Sequence, residues 1–170
     1  MELKRAVISD CNRYRYELHR MWDEDKSKVL FIMLNPSTAD AIHDDATTTR
    51  CINYAKKWGY GGMMIGNLYP YRTKSPKILK KWLKRYDALE KLPHAYYMNI
   101  DHVKKMAKEA DLIICAWGSN HKGIPEWVDE IPNKHFLELC KDKITPKHPL
   151  GNLGKDLKPR YIEWYKGITN

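Results

Sequence analysis

The sequence predicts an α/β protein of three layers, α/β/α, in which the central layer is a mainly parallel four-stranded sheet with an added N-terminal pair of antiparallel strands. Short apolar runs alternate with amphipathic helical segments over most of the 170 residues, which is the pattern of β-α units. Several apolar runs end in polar residues, as expected where parallel strands finish at a crevice. The length suits one domain over residues 1–170.

The first elements follow from their periodicity. Residues 5–22 contain "RYRYEL", whose alternation predicts two short antiparallel strands at an edge of the sheet. The continuous apolar run 29–34, "VLFIML", predicts a strand buried on both faces. Residues 46–58 predict a helix, with Asp45 as its N-cap and Gly59 as its C-terminal stop.

The later elements follow from the same two periodicities. Apolar residues at helical spacing alternate with short apolar runs that end in glycine, proline or polar residues. In chain order we predict a strand at 63–68, a basic amphipathic helix at 75–92, a helix at 99–110, a strand within 111–120, a short helix at 124–131 and a strand at 135–140.

The composition favours a cytoplasmic protein with an anionic partner. The formal charge of +9 suits DNA, a nucleotide or a phosphorylated metabolite, although a basic surface without a partner is the alternative. The four cysteines form no CxxC pair, so we expect reduced thiols, no metal site and no cofactor. No signal sequence or apolar run of about 20 residues is present, so we expect no membrane partner. The oligomeric state stays open.

The candidate site lies where the predicted strands end. Asn35, Asn67, residues 118–120 and His148 each follow a strand or lie near one, so a parallel sheet would bring them to one crevice. Pro36 favours an extended backbone at Asn35 and helps to aim its side chain. The Asn35 amide could position water and contact a ligand, or it could cap the turn.

The other candidates also have two interpretations each. The Asn67 amide could read a planar heterocycle and Arg72 could hold a phosphate, or both could be ordinary turn and surface residues. His148, bracketed by two prolines, could be catalytic, although a lone histidine is more often structural. A polar cluster could bind metal or phosphate, or could serve the helix N-terminus; it comprises Asp40, His43, Asp44, Asp45, Thr47 and Arg50.

Several common motifs are absent from the sequence. It contains no GxxxxGK[ST] phosphate loop and no GxSxG nucleophile elbow. "GYGG" precedes a strand, whereas the glycines of a dinucleotide-binding turn follow one. Aromatic residues mix with lysine and arginine in "KKWLKRY" and "YRYELHR", which suits base stacking beside phosphates and amphipathic core packing equally well.

Five segments together resemble the domain of unknown function 1643 family of bacteria and phages. They are "FIMLNPSTAD", "DATTTRC", "WGYGGMMIGNLYPYR", "ADLIICAWG" and "PKHPL", and they span roughly residues 12–150. The order of motifs also resembles, more distantly, the uracil-DNA glycosylase superfamily. That resemblance implies an α/β/α fold with a four-stranded parallel sheet.

The glycosylase resemblance also implies residue roles. It implies that Asn35, in "MLNPS", positions the attacking water. It also implies that Asn67, in "GNLYPYRT", lies in the base pocket and that His148, in "KHPLG", stabilises the departing base. Met33, Ser37 and Leu150 depart from the residues of those motifs. We expect the base pocket to include Asn67, Pro36, Ser37, Tyr69, Tyr71 and Trp117, and phosphates to be held by Arg50, Arg72 and Lys147.

The leading hypothesis is therefore a DNA base-excising N-glycosidase, a hydrolase that acts on a deaminated or modified base. Such an enzyme must flip the base out of the stack and hold the phosphates electrostatically. The alternatives are a nucleotide-sequestering module without catalysis, an enzyme for free nucleosides or nucleotides, and a DNA-binding protein with a vestigial pocket. The basic segment 74–91 could contact DNA, form a solvated helix or pair with a partner chain.

Overall fold

A single mixed sheet with helices packed against it forms the protein. The computed structural model describes residues 3–87, 89, 92–153 and 158–161. Within these residues the strands are β1 (Leu3–Ile8), β2 (Arg15–Met21), β3 (Lys28–Met33), β4 (Gly62–Asn67), β5 (Leu112–Cys115), β6 (Lys134–Phe136) and β7 (Arg160–Tyr161). The helices are α1 (Ala46–Lys57), α2 (Pro76–Asp87), α3 (His94–Glu109) and α4 (Glu126–Asp129).

The sheet confirms the predicted α/β class. Its strands lie in the order β1-β2-β4-β3-β5-β6-β7. Strand β3 pairs in parallel with β4 and β5, and β5 pairs in parallel with β6. The N-terminal strands β1 and β2 are antiparallel, and β2 continues antiparallel along β4, so the pair extends one edge as predicted. Strand β7, which the sequence did not predict, adds an antiparallel pairing at the other edge.

The continuous apolar run of β3 is explained by burial on both faces. Val29, Phe31 and Met33 pack with residues of α1, whereas Leu30 and Ile32 pack with residues of α2, α3 and α4. None of these five side chains is more than 3% exposed. Each such burial contributes about 1.5–3 kcal/mol relative to an exposed side chain. The alternation of β3 therefore fixes which helix covers which face of the sheet.

Helix α1 begins and ends close to the prediction. The Asp45 side chain accepts a hydrogen bond from the Thr48 backbone N–H at 2.8 Å, which satisfies one of the unpaired donors of the first turn. After the helix, Gly59 has a φ of +86°, the left-handed conformation that favours glycine. The N-cap at the start of α1 and the glycine at its end are confirmed.

Four predicted elements differ from the structure by more than one residue. The basic helix 75–92 is Pro76–Asp87, and the short helix 124–131 is Glu126–Asp129. Helix α3 begins at residue 94 instead of 99, because the exposed side chains of Tyr97 and Met98 hide the helical periodicity. The predicted strand 135–140 is only Lys134–Phe136, because the chain then turns away and pairs with itself through the Lys147 N–H and the Glu138 carbonyl. Residues 88, 90 and 91 of the predicted basic helix lie outside the described residues.

No helix in the described part of the chain combines the length and the apolar character that crossing a bilayer requires. The longest of them, α3, has 16 residues and carries several charged side chains.

Candidate functional site

A cavity of about 530 Å³ lies at the carboxyl ends of β3, β4 and β5. This volume falls within the range of about 300–1,000 Å³ that is typical of small-molecule sites. The residues that the sequence predicted to converge all line it: Asn35, Asn67, Gly118, Ser119, Asn120 and His148. Ser37 and Trp117, which were also predicted, line it too.

Asn35 lines the cavity, and the nitrogen of its amide holds the neighbouring loop. Its Nδ2 donates to the backbone oxygens of Pro36, Tyr71 and Thr73, at 3.1, 3.2 and 2.8 Å. Because all three partners are carbonyl oxygens, the nitrogen must face them. The Oδ1 atom makes no hydrogen bond to any described residue, so it is the part of Asn35 that can accept from a water or a ligand.

Asn67 has a buried amide without a protein partner. The residue is 1% exposed, and neither its Oδ1 nor its Nδ2 finds a hydrogen-bond partner among the described residues. Its backbone oxygen accepts from the side chain of Asn99 on α3 at 2.8 Å, which fixes the end of β4. The Nε1 of Trp117, also buried in the wall of the cavity, is likewise unpartnered. Since buried polar atoms are normally paired, these atoms have hydrogen-bonding capacity that the described residues leave unused.

His148 contributes a neutral imidazole to the cavity. Its Nδ1 accepts from the Leu150 backbone N–H at 3.1 Å, which leaves the proton of the neutral ring on Nε2. Burial lowers the pKa of His148 below the usual 6.5, and the nearby Asp45 carboxylate only partly opposes this. At pH 7 the ring is therefore a neutral donor through Nε2.

Gly118 allows the His148 loop to approach the end of β5. A Cβ at this position would lie 3.1 Å from the Cβ of His148, closer than ordinary contact. Its φ of +76° also favours glycine. The Gly118 N–H donates to the Pro146 carbonyl at 2.9 Å, which ties the loop to the strand.

Three predicted residues pack beside the cavity instead of lining it. The ring of Tyr71 stacks on Trp82 with a centroid distance of 5.2 Å. The hydroxyl of Tyr69 lies 3.2 Å from the Nδ1 of His121, in a small neighbouring pocket of about 50 Å³. Pro36, the third such residue, is buried outside the cavity, and its carbonyl accepts from Asn35.

The predicted phosphate ligands do not line the cavity either. Arg72 donates to the backbone oxygen of Asn12 at 3.2 Å and to its side chain. Lys147 pairs with Glu138 at 2.7 Å. Arg50 is exposed on α1.

Two acidic residues of the polar cluster, Asp40 and Asp44, stabilise the fold. Asp44 pairs with the buried Arg20 at 2.7 Å and with Lys4 at 3.0 Å. Asp40 accepts from two backbone N–H groups of its own turn, which lowers its pKa to about 2. Across the described residues, no group of three or more His, Cys, Asp or Glu side chains is placed to hold a metal ion.

Sequence reasoning missed two charged residues that line the cavity beside Asp45. Arg15, at the start of β2, is 3% exposed, and Lys74 lies at the exposed rim. The alternation of "RYRYEL" is typical of a half-exposed strand and gives no sign that Arg15 is buried. Its burial depends on contacts that are distant in the sequence: its backbone N–H donates to the Pro70 carbonyl at 3.0 Å, and its Nη1 donates to the Ala39 carbonyl at 2.8 Å.

The fold and the cavity define an α/β protein with a polar pocket at the carboxyl edge of its parallel strands. The family described as Protein of unknown function (DUF1643) matches residues 15–150, so the chain belongs to this family. No curated protein and no solved structure matches the chain. The predicted family membership is thus confirmed, whereas the more distant resemblance to uracil-DNA glycosylases finds no support in the comparisons.

Proposed function

We propose that the cavity binds a nucleobase and that the protein is a hydrolase that cleaves the N-glycosidic bond of a deaminated or modified DNA nucleotide. The buried, unpartnered amide of Asn67 is the observation that carries this proposal. A base edge presents a donor and an acceptor side by side, which matches the acceptor and donor of one amide. The indole N–H of Trp117 adds a second donor in the same cavity.

The proposed fold is a three-layer α/β/α domain like that of uracil-DNA glycosylases, with four parallel strands as its core. The packing of α1 on one face of β3 and of α2, α3 and α4 on the other supports this arrangement. Similarity of fold alone would not assign the activity, because one fold carries many functions. The activity is therefore argued from the cavity.

Hydrolysis requires a positioned water and a stabilised leaving base. The Asn35 Oδ1 would accept a hydrogen bond from the water, whose oxygen bonds to the sugar C1′ as the C–N bond breaks. The bonding electron pair leaves with the base nitrogen, and the proton released by the water ends on the departing base. The neutral His148 Nε2–H would donate to the oxygen or nitrogen of the base that gains negative charge. Asn35 supplies orientation and not proton acceptance, because an amide is a very weak base.

Nucleic acid would be held by the basic face of α2. Its first residue, Pro76, lies at the cavity rim, and its lysine and arginine side chains are exposed: Lys77, Lys80, Lys81, Lys84 and Arg85. Neutralising several phosphates would make the affinity fall steeply as salt rises. An affinity that barely changes with salt would instead indicate a free nucleoside or nucleotide as the substrate.

The decisive experiment measures base release by mass spectrometry. The protein is incubated with DNA carrying normal, deaminated or modified bases, and abasic sites are counted in parallel. We expect a released base with the wild type and with Asn53→Ala, an exposed asparagine on α1 that serves as the control, and none with Asn35→Ala. Release that persists in Asn35→Ala, or its absence from every substrate, would refute the proposal.

A stability measurement tests the role of Asn67 separately. An unpartnered buried amide costs about 1–3 kcal/mol, so Asn67→Leu should leave the free energy of unfolding unchanged or raise it by about 1 kcal/mol. The same substitution should abolish base binding. A marked loss of stability in Asn67→Leu would show that the amide is structural and not a ligand contact.

Nucleotide sequestration without hydrolysis is the second candidate function. Asp45 is the one carboxylate among the described residues that line the cavity, and its Oδ1 already accepts from the backbone N–H and the hydroxyl of Thr48. A cavity with no strong base at its centre suits binding better than proton transfer. Binding of a nucleotide that survives in Asn35→Ala, with no base release by the wild type, would favour this function.

A further inference from the structure

Arg15 carries a buried positive charge that forms no ion pair within 4.0 Å among the described residues, although Asp45 and Asp40 act on it from a greater distance. The residue is 3% exposed, and its guanidinium makes one hydrogen bond, from Nη1 to the Ala39 carbonyl at 2.8 Å. Its Nε is buried without a partner, and its Nη2 makes no hydrogen bond to a described residue. Buried charges are normally paired, so the open edge of Arg15 requires an explanation.

Arg20, on the same strand, shows how a structural arginine is held. It is fully buried, and its three nitrogens donate to Asp44, to the His19 carbonyl and to the Asp40 carbonyl at 2.6–2.7 Å. Arg15 lacks any such carboxylate partner within 4.0 Å among the described residues. The two arginines thus differ in their partners and not in their burial.

The unpaired edge of Arg15 carries the donors that an oxyanion would need. The Nε–H and an Nη2–H of a guanidinium point in parallel, and this fork matches two oxygens of a phosphate or carboxylate. Burial lowers the pKa of Arg15 to about 10, which keeps the group positively charged at neutral pH. Arg15 lines the cavity that contains the Asn67 amide.

The N-terminus of α1 adds donors to the same cavity. Ala46 and Thr47 line it, and their backbone N–H groups precede the first intrahelical bond. The dipole of this 12-residue helix favours an anion at that end. With Arg15 and Lys74 positive, Asp45 negative and His148 neutral, the charged groups of the described wall sum to +1.

We propose that Arg15 and the first turn of α1 bind a phosphate group of the ligand, so that the cavity takes a phosphorylated nucleotide and not a base alone. The nucleobase part of this inference rests on the proposed function, whereas the phosphate part rests on Arg15. The phosphate belongs either to a free nucleoside 5′-monophosphate or to the phosphodiester of a nucleic acid.

Calorimetric titration of the full chain tests the phosphate site. The probes are inorganic phosphate, nucleosides with normal, deaminated or modified bases, their 5′-monophosphates and short single-stranded oligonucleotides that carry the same bases. We expect the 5′-monophosphate or the oligonucleotide to bind the wild type roughly tenfold or more tightly than the matching nucleoside. Arg15→Gln should remove this gain in affinity because it removes the charge. Arg15→Lys should also remove it, because lysine keeps the charge but lacks the two parallel N–H donors of the guanidinium. Binding of the nucleoside should persist in both variants.

Arg13→Gln is the matched control, since this neighbouring arginine is exposed and its loss changes the net charge equally. Arg13→Gln should keep the gain in affinity that the phosphate provides. Urea unfolding without ligand checks the fold, and Arg15→Gln should be no less stable than the wild type because it removes an unpaired charge. Tighter binding of the 5′-monophosphate alone would identify a free nucleotide as the ligand. Tighter binding of the oligonucleotide would identify the phosphodiester of a nucleic acid.

Two outcomes would overturn the inference. One is that phosphate adds no affinity to any nucleoside in the wild type, and the other is that Arg15→Gln and Arg13→Gln weaken phosphate binding equally. If nucleosides bind through Asn67 without any gain from phosphate, the phosphate site fails and the proposed function stands. If phosphate binds through Arg15 but no nucleoside binds and no base is released, the proposed function fails and the phosphate site stands.

Discussion

Substitution of Gly118 by alanine should displace His148 from the cavity. The added Cβ would lie 3.1 Å from the Cβ of His148, and this neighbour cannot swing away because it is attached directly to the backbone. The loop that carries His148 must therefore shift. As the ring becomes more exposed, its pKa should rise towards the usual 6.5, since burial is what lowers it.

Gly123 isolates the effect of this contact. Its φ of +72° is close to the +76° of Gly118, but a Cβ there meets no atom within 4 Å. Each alanine lowers the free energy of unfolding by about 1–2 kcal/mol because of the left-handed backbone. Each also raises it, by the same amount in both variants, because alanine makes the unfolded chain less flexible than glycine does. The crowding at Gly118 adds about 1 kcal/mol or more. We therefore expect Gly118→Ala to be less stable than Gly123→Ala by that amount.

Urea unfolding of the two variants measures the difference, and NMR titration of the imidazole signals measures the pKa of His148, assigned with His148→Gln. The pKa should rise in Gly118→Ala and stay unchanged in Gly123→Ala. Equal stabilities of the two variants, together with an unchanged pKa of His148, would refute the proposed role of the glycine contact.

Three further predictions follow from local chemistry. Asp45→Ala should lower the free energy of unfolding by about 1 kcal/mol in urea titrations, because α1 loses its N-cap, and Asp45→Ser should restore most of it. Burial lowers the pKa values of His121 and His148, so the unfolded chain takes up protons at a higher pH than the folded chain does. The free energy of unfolding should therefore fall as the pH drops below 6.5. A pH series of urea titrations measures this fall, which His121→Gln should reduce. Cys11 is exposed and a hydrogen bond with Ser9 lowers its pKa, whereas Cys51 and Cys115 are buried and burial raises the pKa of the half-buried Cys140. Native thiol labelling should therefore show one fast site that Cys11→Ser removes.

The convergence of polar residues could be predicted because it depends only on strand direction. Once "VLFIML" and "GGMMIGN" are parallel neighbours, the residues after them must meet at one edge, and Asn35 and Asn67 do line one cavity. The bounds of α1 could also be predicted, since its N-cap and its C-terminal glycine are local sequence signals.

The partners of charged side chains could not be predicted from local sequence. Lys147 is next to His148 in the chain, but it pairs with Glu138 because the loop after β6 folds back on itself. Arg15 was missed for the converse reason. The alternation around it indicates a half-exposed strand, but β2 lies between β1 and β4, and residues 15–18 are all buried.

The two interpretations of Asn35 turn out to concern different atoms of one side chain. Its Nδ2 holds three backbone carbonyls and so does the structural work of a turn residue, while its Oδ1 is left for the cavity. An aspartate would be a stronger base, but it would place an oxygen against those three carbonyl oxygens and lose the loop geometry. The loop thus requires a hydrogen-bond donor at this position. This requirement explains better than the chemistry of the cavity why an asparagine follows β3.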